Sequence, residues 1–134
     1  MLPSSVETQH IADAVAEIDK AFAFIEGMDF DAFVDSDVTV YAVEKAIQNA
    51  VESFIRLEGK RQRVDGRNVP SERFVMFFPG YDFEALRRMA NTGRHDYGAI
   101  SHSEIWAELH ETLTDIRARA VGILADKRRS LGHD

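Results

Sequence analysis

The sequence predicts an all-α fold, an antiparallel bundle of four or five helices. Three observations predict it. Long stretches place apolar residues at alternating steps of three and four. Capping residues and glycines stand at the ends of those stretches. No period-two alternation competes with them. The 134 residues fit one domain spanning 1–134, and 45% apolar with 29% charged side chains is the composition of a globular chain.

The first helix is expected over residues 5–26. Ser4 and Glu7 have capping-box spacing. Ile11, Val15, Ile18, Phe22 and Ile25 share one face, and Gly27 stops the helix. Residues 29–35 form a short helix or turn. Asp37 is expected to cap a second long helix over about 38–58, striped by Val40, Val43, Ile47, Ala50 or Val51, Phe54 and Leu57, and ended by Gly59. Gly66, Pro70, Pro79 and Gly80 break any long helix over 59–81, and Ser71 to Phe78 reads as either a short helix or an extended plug. Asp82 caps a helix of roughly 83–93, with Phe83, Leu86 and Met89 or Ala90 inward and Gly93 near its end. Ser103 is expected to cap the last helix, about 103–128, with Ile105 or Trp106, Leu109, Leu113, Ile116, Ala120, Ile123 and Leu124 inward. The tail from Ser130 is expected to fray. The straight, heptad-like stripes suit a bundle core, and a spare stripe suits a homodimer interface.

Composition excludes several chemistries. With no cysteine there is no disulfide, thiolate metal site or cysteine nucleophile. The start, Met1 to Ser5, lacks the basic region and apolar core of a signal peptide. The longest strongly apolar run, Phe74 to Phe78, is far short of the roughly 20 residues that span a bilayer. A cytoplasmic protein with no membrane partner is expected. No glycine-rich phosphate loop is present, and no cofactor is predicted.

The net charge of −7 at first points away from nucleic acid. Its distribution points elsewhere. Residues 1–58 hold 3 basic and 12 acidic side chains, net −9; residues 59–94 hold 8 and 4, net +4; residues 95–134 hold 5 and 7, net −2. The basic island comprises Lys60, Arg61, Arg63, Arg67, Arg73, Arg87, Arg88 and Arg94. It reads either as solvated surface or as a phosphate-binding region.

The most informative stretch is Arg87 to Tyr97, with three arginines, Asn91, His95 and Tyr97 in eleven residues. Histidine titrates near neutral pH and can both accept and donate a proton. Arginine can stabilise a phosphoryl group in its transition state. Together they can cleave RNA without a metal, the histidine assisting 2′-hydroxyl attack or protonating the leaving oxygen. The alternative is a helix C-terminus finished by basic residues that complement the helix dipole.

Across roughly residues 11–125 the chain resembles the HepT-like branch of the HEPN ribonucleases, toxins paired with minimal nucleotidyltransferases. The resemblance is carried by the first two helix patterns and the small loop between them, by Met89 and Asn91, by His95-Asp96-Tyr97, and by Trp106 one turn into the last helix. The broad signature is an arginine, four to six residues, then histidine; this branch narrows it to arginine, four residues, histidine, any residue, tyrosine. The resemblance implies that His95 is catalytic and that Asn91 helps shape the phosphate site. It implies that Tyr97 is modified with AMP by the partner nucleotidyltransferase, which silences the toxin. It also implies a homodimer whose two His95 regions face one cleft, and an RNA substrate. Bulk and negative charge added at Tyr97 would oppose RNA phosphate; a half-buried ring explains the residue by packing alone.

The chain departs from the pattern where the signature arginine belongs: position 90 is alanine, which neither binds phosphate nor stabilises charge. Three explanations stand. Ala90 is an inactivating substitution, or the protein is a naturally inactive member, or Arg88, six residues before His95, meets the looser signature. The flanking match makes Ala90 the aligned position. Arg94 and Arg87 remain candidate phosphate-binding residues. The competing reading is a non-catalytic helical module that docks a nucleotidyltransferase or a nucleotide; the blandest is a helical dimer with no site.

Other clusters read as structural. His102 and His110 are eight apart rather than four, so no metal site is predicted. Glu104, Glu108, Glu111 and Asp115 read as a solvated face, since matching Glu-x-x-His motifs are missing. Phe74, Phe77, Phe78, Tyr81 and Phe83 read as core or interface packing, with base stacking as the alternative.

Overall fold

The computed structural model describes residues 2–58, 62–64, 67–69, 72–81, Arg87 and 102–132, with the backbone alone for Glu58 and the two strands. The architecture is the expected all-α bundle.

Helix α1 spans Ser5–Phe24 and begins in the expected capping box. The Glu7 amide donates to Ser4 Oγ at 3.1 Å, and the Ser4 amide donates to Glu7 Oε1 at 2.8 Å. Its buried face is Ile11, Ala14, Ile18 and Ala21, with Val15 and Phe22 packed at the edges. Gly27 adopts φ +78°, a left-handed turn that a side chain would strain, and the chain leaves the helix there.

Helix α2 is one short turn, Phe30–Val34, capped by Asp29, whose Oδ1 accepts from the Ala32 amide at 2.9 Å. It delivers Phe33 into the core with no exposed surface, a burial that contributes roughly 2–3 kcal/mol.

Helix α3 spans Asp37–Ile55 and continues as a 3-10 turn over Arg56–Glu58. Its cap is Ser36, not Asp37: Ser36 has the extended backbone a cap requires, and its Oγ accepts from the Thr39 amide at 3.3 Å. Asp37 is the first helical residue, where its charge complements the helix N-terminus. The whole expected stripe, Val40 through Leu57, is buried.

Residues Gln62–Val64 (β1) and Arg67–Val69 (β2) pair antiparallel, Gln62 with Val69 and Val64 with Arg67. This hairpin lies in the 59–81 segment, where the sequence shows no alternating pattern to announce it. Helix α4, Glu72–Phe77, resolves the choice between short helix and extended plug in favour of helix. Phe74, Phe77 and Phe78 are buried, and Phe74 and Phe78 pack against Phe54 of α3 with ring centroids 6.1 and 5.0 Å away. These three phenylalanines are therefore core.

The last helical rod has three parts: α5 (His102–Glu108), a π turn (Leu109–Leu113) and α6 (Thr114–Ser130). Helical backbone already starts at His102, so Ser103 lies within the first turn rather than capping it. The rod runs to Ser130 and closes through Leu131 and Gly132, where fraying was expected. Ile105, Leu109, Leu113, Ile116 and Ala120 are buried. Two consecutive four-residue steps would carry this stripe about 80° around a regular helix. The wider π turn advances less per residue and brings Leu113 back into line. Thr114 Oγ1 donates to the Leu109 carbonyl at 2.9 Å, across the π turn.

Helices α1 and α3 make the most extensive packing contact, and α6 covers α1. Asn49 Nδ2 donates to Glu17 Oε1 at 3.0 Å, Arg117 Nε donates to Asp19 Oδ1 at 2.6 Å, and Lys127 Nζ donates to the Pro3 carbonyl at 2.8 Å. These links run antiparallel, α1 against both neighbours.

Candidate functional site

Most candidate residues fall outside the described part of the chain. That holds for Arg88, Ala90, Asn91, Arg94, His95 and Tyr97, and for the helix expected over 83–93 with its Asp82 cap. Arg87 alone among them is described; it sits in helical backbone and is partly buried. What the structure establishes is the surroundings of Tyr81 and His102, the described residues that flank 82–101.

The upstream stem is Tyr81. Its hydroxyl donates to Asp115 Oδ2 on α6 at 2.6 Å. Burial pushes the Tyr81 hydroxyl up to about 12; the hydrogen bond and charge of Asp115 add to the rise, and Arg119 opposes it. Arg119 Nε also donates to the Phe77 carbonyl at the end of α4. Two polar links therefore tie α4 and Tyr81 to α6. Of the acidic face expected on the last helix, Glu104, Glu111 and Asp115 are exposed and Glu108 is half-buried. Asp115 differs from a merely solvated residue because it holds Tyr81.

The downstream stem is His102, the first residue of α5. It meets Phe33 edge-on, with centroids 6.3 Å apart. Trp106, one turn on, tilts over Phe33 at 5.1 Å and meets Phe30 edge-on at 6.0 Å. His110 lies 4.6 Å from Trp106 and 6.0 Å from Phe22, and its Nδ1 donates to the Trp106 carbonyl at 2.8 Å. His102 and His110 thus belong to an aromatic wall that joins α5 to α1 and α2. Half-buried Glu44 has its carboxyl raised by burial, with the nearby charge of His102 acting the other way. Among the described residues no three histidine or acidic side chains converge as a metal site.

The basic island also loses a member. Arg73 on α4 forks onto Glu7, with Nε to Oε2 at 2.6 Å and Nη2 to Oε1 at 2.7 Å, and its guanidinium lies 4.9 Å over the Phe77 ring. Arg73 is therefore committed to structure rather than to phosphate. Sequence reasoning missed this pair and the Tyr81–Asp115 pair, because their members lie 66 and 34 residues apart with no local signal.

A family model described as Ribonuclease HepT-like matches residues 11–122. The chain belongs to the HepT-like ribonuclease family. The matched span contains both stems and the whole stretch between them, including positions 87–97 that the sequence singled out. In this HepT-like chain the aromatic wall and the Tyr81–Asp115 link lie within the matched span. No curated protein and no solved structure matches the chain. No helix among the described residues is long and apolar enough to cross a membrane.

Proposed function

We propose that this HepT-like chain is the toxin of a HEPN and minimal-nucleotidyltransferase pair, built as a metal-independent endoribonuclease and weakened by Ala90. The observation that carries the reading is family membership across residues 11–122, which include His95 and Tyr97. In the intact chemistry, His95 accepts the proton of the RNA 2′-hydroxyl as that oxygen attacks phosphorus, or donates a proton to the departing 5′-oxygen. The guanidinium expected at position 90 would hold the non-bridging phosphoryl oxygens. Alanine at that position removes this charge while leaving the proton-transfer group in place.

The partner nucleotidyltransferase transfers AMP to the Tyr97 hydroxyl, releasing pyrophosphate from ATP and adding a phosphodiester beside the RNA site. The chain acts as a homodimer in the cytoplasm. Asn91 shapes the phosphate site, and Arg88, Arg94 and Arg87 supply surrounding positive charge.

The deciding experiment restores the guanidinium. Ala90→Arg should raise RNA cleavage in the presence of chelator, and His95→Ala in that background should abolish it. No gain from Ala90→Arg would favour the second reading, a non-catalytic module that docks the nucleotidyltransferase; Ala90 is the observation that supports that reading. Intact-mass analysis with ATP and the neighbouring nucleotidyltransferase tests Tyr97: an AMP adduct lost in Tyr97→Phe supports the modification, and no adduct with an active enzyme removes it.

A further inference from the structure

The inner faces of α1 and α3 build the core, while their outer faces enclose an open groove. One part, about 400 Å³, is polar and lined by Asp13, Ser53 and Arg56 among others. The other, about 300 Å³, is lined by Phe24, Tyr41, Ala42 and Lys45. Glu17, Lys20 and Asn49 line both parts, so the two are continuous. The titratable residues lining the two parts balance, Asp13, Glu17 and Glu52 against Lys20, Lys45 and Arg56, so any excess charge lies beyond the groove itself.

The apolar end of the groove is unusual. Its lining residues Tyr41 and Phe24 are 70% and 44% exposed, and Val38, outside the lining but three residues before Tyr41, is 81% exposed. Val38 and Tyr41 are three residues apart on one face of α3, and Tyr41 and Phe24 line the same groove. The chain that joins α1 to α3 at this end exposes five carboxylates: Glu26, Asp29, Asp31, Asp35 and Asp37. No lysine, arginine or histidine occurs from residue 21 to residue 44. Helix-end chemistry explains Asp29, Asp31 and Asp37, which cap or enter α2 and α3. It does not explain Glu26, which follows the C-terminus of α1, where a carboxylate opposes the helix dipole. Nor does it explain three large apolar side chains left in water beside these charges.

Protein interfaces place aromatic and apolar anchors at the centre and charge at the rim. We propose that the apolar end of the outer α1–α3 groove, with the acidic connection beside it, docks a partner protein that presents a basic amphipathic helix. The apolar stripe of that helix covers Phe24, Val38 and Tyr41, and its lysines and arginines lie over the carboxylates of residues 26–37. The surface lies wholly on described residues and does not depend on the ribonuclease reading, so a chain that cleaves no RNA can still show it.

The test uses the full chain and three labelled synthetic peptides of about 15 residues, long enough to form a helix with two distinct faces. One is a helix with leucine on one face and lysine on the other, the second replaces each lysine with glutamate, and the third scrambles the first. Fluorescence anisotropy should show the leucine–lysine helix binding at least about ten-fold more tightly than either control, with the preference falling as salt rises. Val38→Asp with Tyr41→Asp should weaken binding by about ten-fold or more with unchanged circular dichroism. Tyr41→Ser is the milder variant should the double one misfold, and should weaken binding in the same direction. Equal binding of the scrambled peptide, or full binding by both variants, would overturn the proposal. So would a dimer that becomes monomeric in the Val38 and Tyr41 variants, because a second copy of the chain would then be the occupant.

Discussion

The carboxylate of Glu7 receives both a guanidinium fork from Arg73 and the amide of Ser4. One buried side chain therefore finishes the N-terminal cap of α1 and anchors α4 from 66 residues away. Glu7 is 5% exposed, so an unpaired charge there is costly.

Arg73→Met should destabilise the chain by about 2–3 kcal/mol near neutral pH, because it leaves a buried carboxylate with only its cap bonds. The Arg73 side-chain hydrogen bond is the main cause that holds the Glu7 carboxyl below its ordinary value. The stability it supplies is therefore complete above the ordinary glutamate value and is lost as pH falls through the lower folded value. Urea midpoints of the variant and the parent should converge in acid. A gap that stays constant from neutral to acid pH would refute the pairing.

Tyr81 should titrate near 12 rather than with an ordinary tyrosine. The neutral hydroxyl is favoured in the folded chain, so the associated stability is full below the unfolded value and falls as pH rises toward 12. An ultraviolet absorbance titration should lose this late step in Tyr81→Phe. Asp115→Asn should move it down only in part, since burial is the leading cause. A late step that survives in Tyr81→Phe would assign it elsewhere.

Phe33→Ala should cost about 3–4 kcal/mol, the range for emptying a fully buried aromatic site. The chain has one tryptophan, and Phe33 lies 5.1 Å from it. Emission from Trp106 should therefore shift to the red and weaken its contact with α2 before global unfolding. An unshifted spectrum with parental thermal stability would show that the wall is not built around Phe33.

The parts of this fold that were legible in the sequence are those decided by neighbours. The Ser4–Glu7 box, the stripe of α3 and the stop at Gly27 all rest on contacts within four residues. Ser36 and Asp37 show the limit: both side chains can cap, and the choice falls to which backbone is extended. The hairpin carried a readable mark, since Asp65-Gly66 is a two-residue turn sequence between the paired strands, but Arg63 and Arg67 disguised the strands as a charged loop. The Arg73–Glu7 and Tyr81–Asp115 pairs were invisible because nothing local distinguishes a paired arginine or tyrosine from a solvated one. The candidate motif, His95 with Tyr97 after an aligned Ala90, lies outside the described residues, and the structure describes Tyr81 and His102 on either side of it.

Those stems share one rod. The downstream wall rests on His102 and the upstream link on Asp115, about 20 Å apart along the helix axis at ordinary rise. Between them lies the π turn, a place where an extra residue is taken up as a wider loop of backbone instead of as rotation. It acts as an expansion joint: loss of one residue there leaves a regular α-helix in which the two anchors keep nearly the same bearing. The slack of one residue held in Leu109–Leu113 thus sets how His102 and Asp115 face around the rod.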